Sequence, residues 1–277
     1  MTNASPPLHV QATGSGPRVV MLHGWALNSH VWDDLVEPLA RSFTVVRIDL
    51  PGHGSSPWPP TFDDLGSLAR VLAPYVGNRG IAGAGEAVAR GGSVILGWSL
   101  GAQVALRLAL DHPRGLRALV LVAATPRFLA EGEWAHGVEP AVLDEFASRL
   151  HDDHEGTVRD FLALQVRGDE RALETLRLLR RRVVATGVTH PEALAAGLAV
   201  LRTTDLREEI ARIPVPALVI AGEHDRLTPP EASRELAAGL RRARYVQIER
   251  AAHAPFLSHR DIFLREVEQF LARVPDS

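Results

Sequence analysis

The chain is predicted to fold as an α/β protein, a mostly parallel central sheet with helices on both faces, interrupted once by a block of helices. Three observations predict this. Apolar, β-branched runs recur at RVVMLHG, FTVVRIDLPG, SVILGWS, RALVLVAAT, VPALVIAGEHD and ARYVQIE. Most are separated by stretches with helical spacing, such as VWDDLVEPLARSF, AQVALRLALDH and PPEASRELAAGLRRA. Strands that alternate with helices read as a parallel sheet covered on both sides. From Thr125 to about Arg212 the strand pattern stops, and PAVLDEFASRLHDD, TVRDFLALQVRG, RALETLRLLRRRVVATG and PEALAAGLAVLRTTDL all read as helices.

Taken in order, LHVQATG before Pro17 reads as an antiparallel edge strand paired with RVVML. SVIL and LVLVAA are almost continuously apolar, as strands buried on both faces are. Gly77 to Gly92, rich in Gly and Ala, reads as a surface excursion before the strand that leads to Ser99. The chain returns to the sheet at VPALVI, which makes the helical block an insertion. The expected division is a core of residues 1–124 and 213–277 with a helical cap at 125–212.

Composition removes whole classes of chemistry. Cysteine is absent, so there are no disulfides, thiolate metal sites or thiol nucleophiles. All 30 basic residues are arginine, which removes Schiff-base catalysis and any phosphate loop that needs lysine. A net charge of -3 argues against a general nucleic-acid surface. No apolar run reaches the roughly 20 residues that span a bilayer. The opening MTNASPPLHV has neither a basic nor an apolar leader region, so a cytoplasmic location is expected.

Gly97-Trp98-Ser99-Leu100-Gly101 has the G-x-S-x-G pattern between an apolar strand and a helix. A sharp strand-to-helix turn leaves little room beside the serine and exposes its hydroxyl at the sheet edge, so Ser99 is the candidate nucleophile. A serine needs a histidine base, and the histidine needs an acid to orient it. Asp225 follows ALVIAGEH, and His253 follows YVQIERAA. Glu223 and His224 compete for these roles, but Asp225 lies further past the strand end. His259 is the rival to His253, whose small neighbours in AAHAP permit close approach to the turn. The backbone N–H groups of Trp25 and Leu100 are the candidate oxyanion donors. His23, Asp49 and His53 are assigned structural roles.

These motifs, HGW, DLPGHGSS, GWSLG, GEHD and AAHAPF in this order, resemble the α/β-hydrolase superfamily from about residue 18 to the C-terminus. Within it, HGWALNSHVW, GWSLGAQVAL, FLALQ and AAHAPFLSH are similar to the pimeloyl-[acyl-carrier protein] methyl ester esterase family of biotin synthesis. The resemblance implies a triad of Ser99, Asp225 and His253, and substrate contacts at Trp25, Leu100 and the stretch Phe161, Leu162, Ala163, Leu164 and Gln165. It also implies an acyl-carrier protein as partner and no metal or organic cofactor; a monomer is expected. The residues alone specify an ester hydrolase, with a broad carboxylesterase or a ligand receptor on the same fold as the other readings. Ser99 argues against the aspartate-nucleophile dehalogenases and epoxide hydrolases of this fold. Between Arg159 and Arg182 stand seven arginines and four acidic residues, and Arg177, Arg180 and Arg181 recur at helical spacing, extended by Arg182. They form the candidate docking surface for an acidic carrier.

Overall fold

Successive strand residues point to opposite faces of a sheet, and here the sequence loads both faces with apolar side chains. The computed structural model describes residues 7–58, 62–76, 92–184 and 189–275. Among the described residues the strands are β1 (Val10–Thr13), β2 (Arg18–Leu22), β3 (Thr44–Ile48), β4 (Ser93–Trp98), β5 (Leu116–Val122), β6 (Ala217–Gly222) and β7 (Ala243–Ile248). The helices are α1 (Asp33–Ala40), α2 (Leu65–Val76), α3 (Leu100–Asp111), α4 (Pro140–Asp152), α5 (His154–Gln165), α6 (Ala172–Val184), α7 (Pro191–Thr203), α8 (Pro230–Gly239), α9 (Pro255–Ser258) and α10 (Arg260–Leu271). The strands form one sheet in the order β1-β3-β2-β4-β5-β6-β7.

Val20, Leu22, Val46, Ile48, Ile95 and Leu121 feed one core, closed by α2, α3 and α8. Their alternating neighbours Val19, Met21, Val45, Leu96 and Val122 feed a second core, closed by α1 and α10. Each such fully buried side chain contributes roughly 1.5–3 kcal/mol, so a sheet buried on both faces is the arrangement this patterning favours. The six apolar runs are the six parallel strands. LHVQATG is an antiparallel edge strand, but it pairs with β3, Val10 opposite Ile48, and not with β2 as the sequence suggests. β2 already has parallel neighbours on both sides and so has no free edge. Gly14 and Gly16, at φ +88 and +114, carry the connection close against the Phe43 and Ser42 carbonyls. The excursion expected at Gly77–Gly92 lies, apart from Gly92, outside the described residues.

The four helical segments read from the sequence are α4 to α7, lying between β5 and β6 in the chain. α4 and α7 begin on prolines, which suit a first helical turn where no N–H donor is needed. α5 is capped by Asp153, whose carboxylate accepts the Gly156 N–H at 2.8 Å. The two ends of the block meet. Leu206 N–H donates to the Pro126 carbonyl at 2.9 Å, and the Arg127 guanidinium donates to Asp205 at 2.7 Å across an isolated antiparallel bridge. No helix among the described residues is long and apolar enough to cross a membrane.

Candidate active site

β4 ends at Trp98 and α3 begins at Leu100, so the whole reversal falls on Ser99, at φ 56 and ψ -117. A non-glycine residue there is strained and persists only when its surroundings hold it. The flanking glycines are that surrounding. A Cβ on Gly97 would lie 2.7 Å from the carbonyl carbon of Gly101 and 2.8 Å from Ala102 Cα, and one on Gly101 would lie 2.6 Å from the His23 carbonyl oxygen. Helix and strand therefore cross with no room for side chains, and Ser99 is partly exposed between buried Trp98 and Leu100. As the first residue of α3, Leu100 has an N–H with no carbonyl one turn back, at the positive end of the helix dipole.

The loop after β2 lies against this turn, since a Cβ on Gly24 would sit 3.3 Å from Ser99 Cβ. His23 is buried; its Nδ1–H donates to the Gly24 carbonyl at 2.8 Å, and its Nε2 accepts the Leu50 N–H at 2.9 Å. Because the peptide is trans, fixing the Gly24 carbonyl toward His23 turns the Trp25 N–H the opposite way. His23 is thus a structural residue that sets the orientation of a candidate donor. The Trp25 indole N–H donates to the Leu194 carbonyl at 2.8 Å, and its ring meets Phe161 edge-on at 4.7 Å. Gly197 of α7 leaves the space that the indole occupies.

His253 and Asp225 come together from the ends of β7 and β6. The His253 Nδ1–H donates to Asp225 Oδ2 at 2.7 Å, both side chains being buried, while Asp225 Oδ1 accepts the N–H groups of Leu227 and Thr228, each at 2.9 Å. The Trp98 indole N–H donates to the His253 carbonyl at 2.8 Å, which ties the histidine loop to the residue before Ser99. His253 Nε2 is buried with no hydrogen-bond partner. The rivals are engaged elsewhere. Glu223 accepts the Arg250 N–H at 2.8 Å, His224 Nδ1–H donates to the Gly168 carbonyl at 2.7 Å, and His259 lies between Ser258 Oγ and Glu170 at 2.8 and 3.0 Å.

Of the stretch Phe161 to Gln165, Phe161 packs on Trp25, and Leu162 lines a cavity of about 500 Å³ with Val158, Val183, Leu194 and Ala26. Ala163 and Leu164 are half-buried. Gln165 is only 1% exposed; its backbone carbonyl accepts the His253 N–H at 3.1 Å and its side-chain Oε1 has no partner. Arg177, Arg180 and Arg181 are exposed on α6. Arg182 does not extend their cluster: it turns inward, donating to the Val31 carbonyl at 2.9 Å and pairing with Asp34 at 2.7 Å. It faces inward because it lies about 160° round the helix from Arg180 and about 100° from Arg181. The sequence reading missed Asp169, buried beside the histidine loop, although the RGDE turn that ends α5 was its visible signal.

Beneath the site, His53 is fully buried and burial, aided by the charge of His23, pushes its pKa down from 6.5 to about 3. His23 is shifted in the same direction, also by burial. Between pH 6.5 and about 3 the unfolded chain binds a proton at His53 that the native chain does not, so native stability is lost as pH falls through this window. The slope is up to about 1.4 kcal/mol per pH unit for each such histidine. His53→Phe should flatten the fall of Tm between about pH 7 and about pH 5. Parallel Tm curves for variant and wild type would refute it.

A serine exposed by a strained turn and a histidine already aligned by a carboxylate, at one edge of a parallel sheet, are the parts with which an acyl carbon can be attacked. The class is that of the serine hydrolases. Residues 17–260 match the family described as alpha/beta hydrolase fold. The esterase from Exiguobacterium antarcticum shares the fold at a TM-score of 0.82 and 22% identity, covering 96% of this chain and 95% of that one. The chain is 40% identical over 257 residues to the pimeloyl-[acyl-carrier protein] methyl ester esterase of Nitrosomonas europaea, covering 93% of this chain and 96% of the relative. It is 41% identical over 265 residues to the protein of that name from Stenotrophomonas maltophilia, covering 96% of each. The chain belongs to the α/β-hydrolase fold family, in the branch that holds these esterases.

Proposed function

We propose that the chain is a cytoplasmic, monomeric esterase of biotin synthesis that hydrolyses the methyl ester of a pimeloyl group attached to acyl-carrier protein. The observation that carries this reading is 40–41% identity over nearly the whole chain to relatives of that name. The arrangement of His253 agrees with an ester hydrolase: its Nδ1–H is held by Asp225, which leaves Nε2 as the nitrogen that can take a proton.

His253 Nε2 takes the hydroxyl proton of Ser99 as Oγ bonds to the ester carbonyl carbon. The oxygen that becomes negative is held by the Trp25 and Leu100 N–H groups. The imidazolium, stabilised by Asp225, passes its proton to the departing methoxide, and methanol leaves an acyl-Ser99. Water then gives a proton to His253 and attacks the acyl carbon, Ser99 recovers its hydrogen, and the pimeloyl carboxylate leaves on its carrier. No metal or cofactor takes part.

In this reading residues 125–212 are the cap over a core of 1–124 and 213–277, and Trp25, Leu100 and Phe161 to Gln165 contact the acyl chain. The 500 Å³ cavity, within the size range of small-molecule sites, is lined by apolar side chains together with His154, Glu155, Arg159, Arg180 and Thr189; Ser99, Asp225 and His253 are not among its lining residues, so it gives room only for the far part of the substrate. An acidic carrier docks on Arg177, Arg180 and Arg181, which speed its encounter and make it salt-sensitive. Reversal of these three to glutamate should lower kcat/KM for the carrier-bound methyl ester about tenfold or more at low salt and spare a free ester. Unchanged activity on the carrier-bound substrate would reject the surface, and equal loss on both substrates would mean damage to the cap. The same assay with wild type tests the function: comparable kcat/KM for free monoesters and the carrier-bound ester would make this a broad carboxylesterase.

A further inference from the structure

We propose that Asp169 is a positioning residue for the reaction: its buried carboxylate, acting through the Ala252 N–H, fixes the loop that presents the His253 imidazole. The inference rests on the assignment of His253 as the catalytic base. The imidazole is held at Nδ1 by Asp225, so its remaining freedom is that of its own backbone. That backbone follows a strained residue, Arg250 at φ 59, and takes its bonds from outside β7. Arg250 N–H donates to Glu223 at 2.8 Å and its carbonyl accepts the Glu170 N–H at 3.1 Å; the Ala251 carbonyl accepts the His224 N–H at 2.8 Å. Ala252 N–H donates to Asp169 Oδ2 at 3.0 Å, and His253 N–H to the Gln165 carbonyl at 3.1 Å.

Three of these five bonds are between backbone groups, and a fourth is accepted by Glu223, which is well exposed. Asp169 is the buried one: it is 7% exposed and accepts with both oxygens, Oδ1 from Arg171 N–H at 2.7 Å and Oδ2 from Ala252. The first bond closes its own turn. The second crosses 83 residues to the amide immediately before His253, where local structure makes no demand for it. Two N–H donors require two acceptors, so an amide side chain, with a single oxygen, leaves one of them facing an NH₂. The Ala252 N–H is buried and would move the loop to find another partner. A displacement of about 1 Å in a catalytic group can cost on the order of 10²-fold in rate without any change in substrate binding.

The test compares wild type with Asp169→Asn and Asp169→Ser on p-nitrophenyl butyrate, with Glu170→Gln on the same segment as control and His253→Ala as reference. The expected result is a fall in kcat of about 10- to 100-fold in both Asp169 variants, with KM unchanged and the low-field NMR resonance of the His253 Nδ1 proton broadened. Glu170→Gln should stay within about twofold of wild type. Folded Asp169 variants with wild-type kcat and an unaltered resonance would overturn the proposal, and so would a rise in KM at constant kcat. If neither variant folds, amide exchange in wild type decides: an Ala252 N–H as protected as those of β6 supports the proposal, and one exchanging like an exposed loop overturns it. An active His253→Ala would remove the triad assignment itself, whereas an inactive one beside active Asp169 variants removes only this inference.

Discussion

Ser99→Ala is expected to lower kcat for ester hydrolysis by roughly 10⁴- to 10⁶-fold while leaving the protein folded with an unchanged Tm. The loss follows from chemistry, because no other hydroxyl stands on the turn between β4 and α3. The retained fold follows from geometry. Alanine keeps the Cβ that already tolerates φ 56, and the partly exposed hydroxyl leaves no buried donor orphaned. His253→Ala and Asp225→Asn should also be severely impaired. In Asp225→Asn one of three donors, the Leu227 and Thr228 N–H groups or the imidazole N–H, would face an NH₂. On the proposed triad the three residues act as one unit, so the double and triple variants should lose little beyond the worst single one. A folded Ser99→Ala protein that keeps more than about a tenth of wild-type kcat would sink the nucleophile assignment; additive losses would point to a different acid or base.

Gly101→Ala should damage the fold more than the chemistry. The added methyl would enter the backbone of the loop after β2, 2.6 Å from the His23 carbonyl oxygen and 2.7 Å from the Leu22 carbonyl carbon. Neither neighbour is a flexible side chain, so α3 or β2 must move. β2 is central in the sheet, with β3 and β4 on either side. The cost should be about 3 kcal/mol, at the upper end for overpacking, which for a chain of this size corresponds to a fall in Tm of roughly 6–12 °C. Thermal unfolding monitored by far-UV circular dichroism measures it directly. A Tm within about 2 °C of wild type would mean that the crossing is looser than described. Gly132 is the control, since a methyl there would meet nothing within 4 Å, although its φ of +60 carries a modest strain of its own.

The parts of the molecule that could be read beforehand are those written locally. Strand and helix periods lie within ten or fifteen residues, and the serine turn announces itself because Gly97 and Gly101 stand two residues either side of Ser99 between a strand pattern and a helix pattern, although the backbone that Gly101 must clear belongs to Leu22 and His23, far off in sequence. Asp225 and His253 could be proposed because a parallel sheet brings the ends of β6 and β7 to the edge that carries Ser99. What escaped was written across long separations. The pairing of β1 with β3 depended on β2 being enclosed on both sides. Arg182 resembles its neighbours in composition, and its inward turn is visible only once α6 rests on Val31 and Asp34. The bond from Asp169 to Ala252 spans 83 residues, and a turn-forming aspartate gives no local sign of a second obligation. The seat of the Trp25 indole depends on Gly197 and Leu194 in a distant helix.

The meeting of Pro126 and Arg127 with Asp205 and Leu206 has a consequence for how such a chain can change over generations. A segment whose ends are joined to each other can be lengthened, shortened or exchanged while the sheet still receives it through the same narrow neck, and loop length itself adds only a logarithmic entropic cost. If residues 125–212 are the cap proposed above, substrate preference can be inherited as a cassette. That segment includes Gln165, Asp169 and Glu170, which bond the loop around His253, so on the proposed assignment a transplant from a relative would bring its own alignment of the base along with its own acyl pocket. Chimeras joined at this neck should consequently differ in turnover even on an ester too small to reach the transplanted pocket.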